Sequence, residues 1–383
     1  MSESLLALPF EIDELIAGWS SLRPKMISAM PQSFRRDEWA YLLSFIEPCR
    51  LTLIVESSIG PRSGLCDLSR VNLCLRPRGL VALWLANNVT LLGPLMLVLL
   101  SLSGNRLRLK SGSSSENLLA SFYDFALENL SRGALLDYLR EMVCVEQFGR
   151  ADERNRAMAA RADVRIVFGS DEAVREIERY PHPLTSTAYH FIDRRSQLWL
   201  EPALVDRAAM RDLLKVFAIY GRGACTAPSR VMLIDASPSD ADLLARELIG
   251  LWPELFKKLP PPHVASSVVM CEQWARALGW NASSVSGKAA VIASGEGDLE
   301  CELENMFLPI CSSTLEGAVT ELPGNVQTVG YVASDFKRQS WLRALLSTSV
   351  KRFVPLREMH NFGPVWDGFS FWRGLFEDME VGR

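Results

Sequence analysis

Cys225 is the residue of this chain best placed for covalent chemistry. It lies within Val216 to Asp235, VFAIYGRGACTAPSRVMLID. An apolar run, Val216 to Tyr220, leads into Gly221-Arg222-Gly223-Ala224. Cys225 and Thr226 follow, then Pro228 and a β-branched, apolar run from Val231 to Ile234. This pattern predicts a turn carrying one thiol, set just before a buried strand. Small neighbours let a carbonyl come close to the sulfur. Gly221 and Gly223 allow backbone angles that aim N–H groups at a developing oxyanion. A thiolate is a strong nucleophile even as a minor species. The competing reading is a buried structural cysteine, since free Cys is among the most buried residue types.

Other loops carry polar groups after strand candidates. Asn87-Asn88 follows Leu80 to Leu85. Lys110 opens the serine-rich loop Ser111 to Ser115, and Gly169-Ser170 follows Val164 to Phe168. A Gly-Ser turn opening a helix is an anion site. Ordinary N-capping explains Ser170 or Asp171 just as well. Glu358 and His360 lie in a polar, glycine-bearing loop, EMHNFGPVWDG.

The elements that must position these groups read as an α/β chain. Leu80 to Leu85 is a strand, Leu91 to Leu102 a helix, Arg106 to Lys110 a strand and Glu116 to Leu130 a helix. That order makes a βαβα unit of the nucleotide-binding kind. Asp37 to Phe45 reads as a helix, Leu51 to Leu75 as a strand pair, and Gly133 to Met158 as helical. Val164 to Phe168 is a buried strand. Tyr189 to Leu200 alternates like a strand, and Val205 to Phe217 is a helix that delivers the chain to Cys225. Asp240 to Trp252 and Val264 to Leu278 are further helices. Ala289 to Ile292, Asn325 to Val332 and Phe353 to Pro355 are strand candidates, with a helix at Trp341 to Leu346.

Composition narrows the function. The 383 residues are 48% hydrophobic and 22% charged, with a net charge of −4. That is a globular composition with ample core and no basic character for nucleic acid. None of the eight cysteines forms a CxxC pair, and no secretory signal is read, so the expectation is reduced thiols in a cytoplasm. Four histidines, His182, His190, His263 and His360, argue against a zinc site, and no metal is expected. Leu80 to Leu102 is apolar enough to suggest a membrane span. Asn87, Asn88, Gly93 and Pro94 interrupt it, so a buried loop–helix unit is expected instead.

The ordered set of loops resembles the aldehyde dehydrogenase superfamily, over about residues 80 to 370. More closely, it resembles the LuxC-type acyl-CoA (fatty acid) reductases. The carriers are LANNVTLLGP, GNRLRLKSGSS, VRIVFGSDEAV, GRGACTAPSRV and PLREMHNFGPVWDG. The resemblance implies an aldehyde dehydrogenase-like fold: a Rossmann-type cofactor domain with an inserted α/β catalytic domain. The expected divisions are an N-terminal helical segment (1–50), a cofactor-binding domain (51–204), a catalytic domain (205–345) and a C-terminal return (346–383). Cys225 becomes the nucleophile in a G-x-x-C-T-x-P turn. Asn88, with Asn87 as competitor, becomes the side-chain donor to the oxyanion. Lys110 is implied to contact the adenosine ribose, and Gly169 and Ser170 to face the pyrophosphate. Glu358 would hold the nicotinamide ribose. Superfamily members that favour NAD often carry an acidic residue three positions after this Lys. Here the position is Ser113, with Arg106 and Arg108 near, so NADPH is expected and NADH is the alternative.

Aldehyde-oxidising members carry a Glu general base in a segment whose counterpart here is Tyr189-His190-Phe191-Ile192-Asp193. No Glu occupies it. Oxidation to a free acid needs an activated water; reduction of a thioester does not. An imidazole can move protons near neutral pH, so His190 is a candidate for proton transfer, with a packing or hydrogen-bonding role as the plain alternative. The resemblance implies reduction of acyl-CoA or a carrier-bound acyl group, an acyl-activating synthetase partner and a homo-oligomer. Two rivals stay open: an acyl-transfer or scaffold subunit without reductase activity, and a cysteine hydrolase using Cys225 and His190.

Overall fold

Residues 81–84 are an unbroken apolar run, and 164–168 are apolar except for Arg165, without alternation, as expected for parallel strands covered on both faces. In the computed structural model both lie inside one parallel sheet. The structure describes residues 11–59, 71–86, 89–113, 116–192, 194–257, 260, 262–297, 299, 305–363 and 365–382. The chain forms two units: Met1–Ile192 with Gly363–Arg383, and Asp193–Phe362. The sequence reading sets its boundaries at 50/51, 204/205 and 345/346.

In the first unit, helices α1 (Ile12–Ser21), α2 (Arg23–Ser28), α3 (Arg36–Phe45) and α4 (Pro48–Ile59) precede strand β1 (Val71–Pro77). Then come β2 (Leu80–Trp84), α5 (Leu92–Ser101), β3 (Arg106–Ser111), α6 (Leu118–Asn129) and α7 (Ala134–Met142). They are followed by β4 (Val143–Gln147), α8 (Arg154–Ala159), β5 (Val164–Phe168), α9 (Asp171–Glu178) and β6 (Thr187–Phe191). Strands β2 to β6 make a parallel sheet in the order β4-β3-β2-β5-β6. The order reverses at β2. Open α/β sheets bind ligands beyond the carboxyl ends of their strands at such a switch point. Helix α5 is buried along its whole length, which explains its strongly apolar composition. Trp19 of α1 donates its indole N–H to Ser101 Oγ at 2.9 Å and stacks on Phe122 of α6.

Two expectations need correction here. Residues 51–59, the described first part of the expected strand pair, are helical and belong to α4: Leu51, Ile54 and Val55 share one buried helical face. The expected helix from Gly133 stops at Met142. Val143 and Val145 begin an extended segment that pairs in parallel with β3.

The second unit runs through β7 (Arg195–Leu200), α10 (Arg207–Tyr220), β8 (Pro228–Ile234), α11 (Pro238–Leu255), α12 (Pro262–Ala277) and β9 (Asn281–Ser284). It continues with β10 (Val291–Ser294), β11 (Phe307–Ser313), α13 (Leu315–Thr320), β12 (Val326–Val332), α14 (Asp335–Leu345) and β13 (Arg352–Pro355). Its sheet has the order β13-β12-β7-β8-β11-β10-β9, parallel except for the β9 edge. Alternate residues serve opposite cores. Leu198 joins Phe217, Leu248 and Trp252 on one face; Trp199 joins Met232, Val268 and Trp341 on the other. The expected single strand from Tyr189 to Leu200 is therefore two strands, β6 and β7, one in each unit.

The chain then returns to the first unit, where β14 (Phe376–Gly382) pairs antiparallel with β1. Before it, Trp366 and Phe369 exchange two backbone hydrogen bonds of 2.9 and 2.8 Å around Asp367 and Gly368. Both central residues have positive φ (47° and 83°), the tight hairpin turn that Asp-Gly favours. Trp366 meets Phe168 and Phe191 edge-on, above the carboxyl ends of β5 and β6. Among the described residues no helix is long and apolar enough to cross a membrane.

Candidate active site

The turn holding Cys225 is built by close approach. Gly221 caps α10 with φ 54° and ψ −141°. A Cβ there would lie 2.2 Å from the Asn305 carbonyl oxygen. The same carbonyl accepts the Arg222 N–H at 2.7 Å. The Ala227 N–H then closes on the Ala224 carbonyl at 3.0 Å. Cys225 and Thr226 thus occupy the two corners of a β-turn directly before β8. The Ser196 hydroxyl, on neighbouring β7, donates to the Cys225 carbonyl. Cys225 itself is partly exposed.

A third support comes from far along the chain. His360 Nδ1 lies 2.8 Å from Thr226 Oγ1, and Nε2 lies 2.7 Å from the Val216 carbonyl oxygen. A carbonyl only accepts, so Nε2 carries the proton. Nδ1 then accepts from the Thr226 hydroxyl. One neutral imidazole therefore ties α10 to the cysteine turn. Burial lowers the proton affinity of His360; the Val216 carbonyl opposes this, and Arg352 adds to it. The sequence reading left His360 as a polar loop residue. Its partner Thr226, and Ser196 on the Cys225 carbonyl, which that reading gave no role, hold the turn.

The pH consequence has a definite sign. A histidine whose folded pKa lies below its ordinary 6.5 binds protons more weakly folded than unfolded. Its contribution to stability is complete above that value and falls as the pH drops below it. His360→Gln is expected to flatten this part of the stability–pH profile, read from melting temperatures between pH 7.5 and 5. An unchanged acid slope would contradict the assignment.

Glu358 lies on the same loop, exposed on a 3-10 turn after β13. The Arg352 guanidinium donates to the carbonyls of Glu358, Met359 and Asn361, at 3.4, 3.2 and 2.9 Å, and so fixes the loop. Arg357, where the resembling family usually has Gly, pairs with Asp212 of α10. The substitution is accommodated at the surface.

In the first unit, Lys110 is the penultimate residue of β3 and Gly169-Ser170 follows β5; these two strands flank β2 on its two sides. Lys110 is buried, donates to the Ser111 carbonyl at 3.2 Å and lies over the Phe148 ring. Its pKa is lowered, first by burial and then by Arg150, with Glu176 opposing. Ser113 is exposed. Ser170 is the N-cap of α9, accepting from the Ala173 N–H at 3.3 Å. Asp171 and Glu172 fill the first turn of that helix.

The expected basic neighbours of Ser113 differ in detail. Arg106 opens β3, roughly 13 Å along the strand from Lys110 at the usual rise per residue. Arg108 is paired with Glu146 at 2.7 Å. Arg150 is the cation that acts on Lys110. His190, on β6, has Nε2 3.0 Å from Glu178 Oε1, which also pairs with the buried Arg165 at 2.8 Å. Burial raises the Glu178 pKa, but these two partners outweigh it and hold the carboxyl below its ordinary range. Asn87 and Asn88 lie outside the described residues.

Comparison with solved structures shows the fold. The fold is that of the aldehyde dehydrogenases. An oxidoreductase from Marinobacter aquaeolei is similar with a TM-score of 0.69 and 13% identity, covering 100% of this chain and 88% of that one. An aldehyde dehydrogenase from Bartonella henselae gives 0.65 and 14%, covering 97% and 85%. A betaine aldehyde dehydrogenase variant from Staphylococcus aureus, solved with NAD+, gives 0.67 and 10%, covering 97% and 83%. No curated protein matches by sequence. The acyl-CoA reductase (LuxC) family model matches residues 19–267, well over half of the chain. The chain belongs to that family and is an aldehyde-forming oxidoreductase.

Proposed function

We propose that this protein reduces an acyl thioester, acyl-CoA or a carrier-bound acyl group, to an aldehyde with NADPH, through an S-acyl-Cys225 intermediate. The observation that carries the reading is the Cys225 turn: a partly exposed thiol held by Asn305, Ser196 and the His360–Thr226 link. The Cys225 thiolate attacks the acyl carbonyl. The bond from acyl carbon to carrier sulfur breaks, and the carrier leaves as its thiol after taking a proton. Asn88, with Asn87 as the competitor, is the proposed donor to the oxyanion, beside the Cys225 N–H. Both ring nitrogens of His360 are engaged, so it positions the turn and moves no proton. His190 remains a candidate for proton transfer, through the ring held by Glu178.

A nicotinamide dinucleotide fits the first unit on two observations. The parallel sheet has its switch point at β2, and a buried ammonium, Lys110, lies at the carboxyl end of the strand beside it, one residue before its last. Lys110 would hold the adenosine ribose, Gly169 would let the backbone approach the pyrophosphate, and Glu358 would hold the nicotinamide ribose. The carboxylates Asp171 and Glu172 disfavour a phosphate on the first turn of α9, and Ser170 is spent as its cap. A bound, reduced nicotinamide supplies the hydride. A homo-oligomer working in the cytoplasm beside an acyl-activating synthetase completes the proposal.

NADPH is favoured by the exposed, neutral Ser113 and the positive Arg150 beside Lys110. Ser113→Glu should therefore lower kcat/KM for NADPH relative to NADH by about tenfold, through like-charge repulsion of the 2′-phosphate. An unchanged ratio would remove Ser113 from the cofactor site. The general test is an acyl-CoA panel with NADPH, followed by nicotinamide absorbance and aldehyde detection. NADPH loss with aldehyde supports the proposal. Acylation without NADPH loss favours the acyl-transfer reading.

A further inference from the structure

Helix α9 has little of its own to hold it. It is eight residues long, Asp171–Glu178, and only Val174 and Ile177 are buried. A helix this short is not stable alone. Its last residue is a glutamate, and a carboxylate at the negative end of a helix is disfavoured. The sheet supplies what the helix lacks. Arg165 of β5 donates from Nη1 at 2.8 Å and His190 of β6 from Nε2 at 3.0 Å, both to Oε1 of Glu178. Among the described residues, Glu178 is the only side chain of α9 hydrogen-bonded to the sheet.

The sheet needs that carboxylate in turn. Arg165 is 3% exposed inside the strand VRIVF. A buried guanidinium is tolerated when it is paired. In the ladder Val167 lies opposite His190 and Arg165 opposite Ala188. Arg165 and His190 therefore project from the face that carries Val167, which packs with Val174 and Ile177 of α9.

The other end of the helix is the proposed cofactor turn. A Cβ on Gly169 would lie 3.2 Å from the Ala173 Cβ, so the turn rests directly on the first turn of α9. The Gly169 N–H donates to the Phe191 carbonyl at 3.1 Å, one residue beyond His190. Neighbouring residues of β6 thus hold both ends of α9. We infer that Glu178 is a positioning residue for the dinucleotide: gripped by Arg165 and His190, it sets α9 and with it the Gly169-Ser170 turn. The inference rests on the cofactor assignment proposed above.

Calorimetric titration of the full chain with NADPH tests it, beside the rate at which acyl-CoA acylates Cys225 without NADPH. Glu178→Gln keeps the length of the side chain and removes its charge. Its Kd for NADPH should rise about tenfold while the acylation rate is unchanged. An unchanged Kd overturns the inference. So does slower acylation, which would mark a proton-transfer role through His190 or a general loss of structure. If the wild type takes no acyl group, the thioester reading fails and the Kd values alone decide. Should Glu178→Gln not fold, because Arg165 is left buried without its carboxylate, His190→Ala carries the test. That ring is partly exposed; Kd should rise about threefold, and an unchanged Kd rejects the inference. If the wild type binds no nicotinamide dinucleotide, the cofactor reading fails instead. Amide hydrogen exchange over residues 171–178 then decides the role of Glu178. Exchange about tenfold faster in the variant supports it, and equal rates reject it.

Discussion

Replacing Cys225 with alanine should lower acyl-CoA reduction by at least about a thousandfold while leaving the protein folded, because the covalent step loses its nucleophile. The expectation is specific to this thiol. Cys311 is buried among apolar side chains, and Cys271 lies on a helix packed in the same core. Cys144 is exposed on β4, yet partial burial and the neighbouring Glu146 raise its pKa, which keeps the thiol protonated. Cys225 alone among these sits at the corner of a turn whose backbone is fixed by three separate parts of the unit. Cys144→Ala should retain activity within about twofold, as surface substitutions usually do. Steady-state rates of the two variants, side by side, check the assignment. Comparable losses in both would contradict it.

The second large effect lies at Gly221. Its φ of 54° with ψ of −141° belongs to a region that is essentially restricted to glycine. Space is also lacking, since the new Cβ would sit 2.2 Å from a backbone carbonyl oxygen, which cannot swing aside as a side chain would. Gly221→Ala should cost at least about 2 kcal/mol of stability and displace the cysteine turn, so that kcat falls as well. Gly223→Ala is the contrast. There the nearest atom is the Asn305 side-chain amide, at 3.2 Å, and φ is not positive. Its cost should be under about 1 kcal/mol. Denaturant midpoints of the two variants test this directly, and equal midpoints would show that the Gly221 conformation is not required.

Strands β2 and β5 were legible in the sequence because burial on both faces leaves a signature: the apolar run 81–84, and 164–168, apolar except for Arg165. Strand β11 was not, because Pro309 stands inside it between two neighbouring strands, and proline ordinarily argues against a central strand. Helix α4 was hidden by the Gly/Pro/Ser break after it, which suggested a hairpin, although Leu51, Ile54 and Val55 already had helical spacing. The cysteine turn could be read from local chemistry, since the glycines and the strand that follows are contiguous with it. The His360 link could not. Its partners stand 134 and 144 residues away, and only the folded sheet brings them together.

The most direct test of the central claim is peptide mapping by mass spectrometry after mixing the protein with acyl-CoA in the absence of NADPH. The account predicts one acyl group on Cys225, discharged as aldehyde when NADPH is added. Aldehyde formation with no acyl group ever found on Cys225, or with the acyl group on another cysteine, would contradict it.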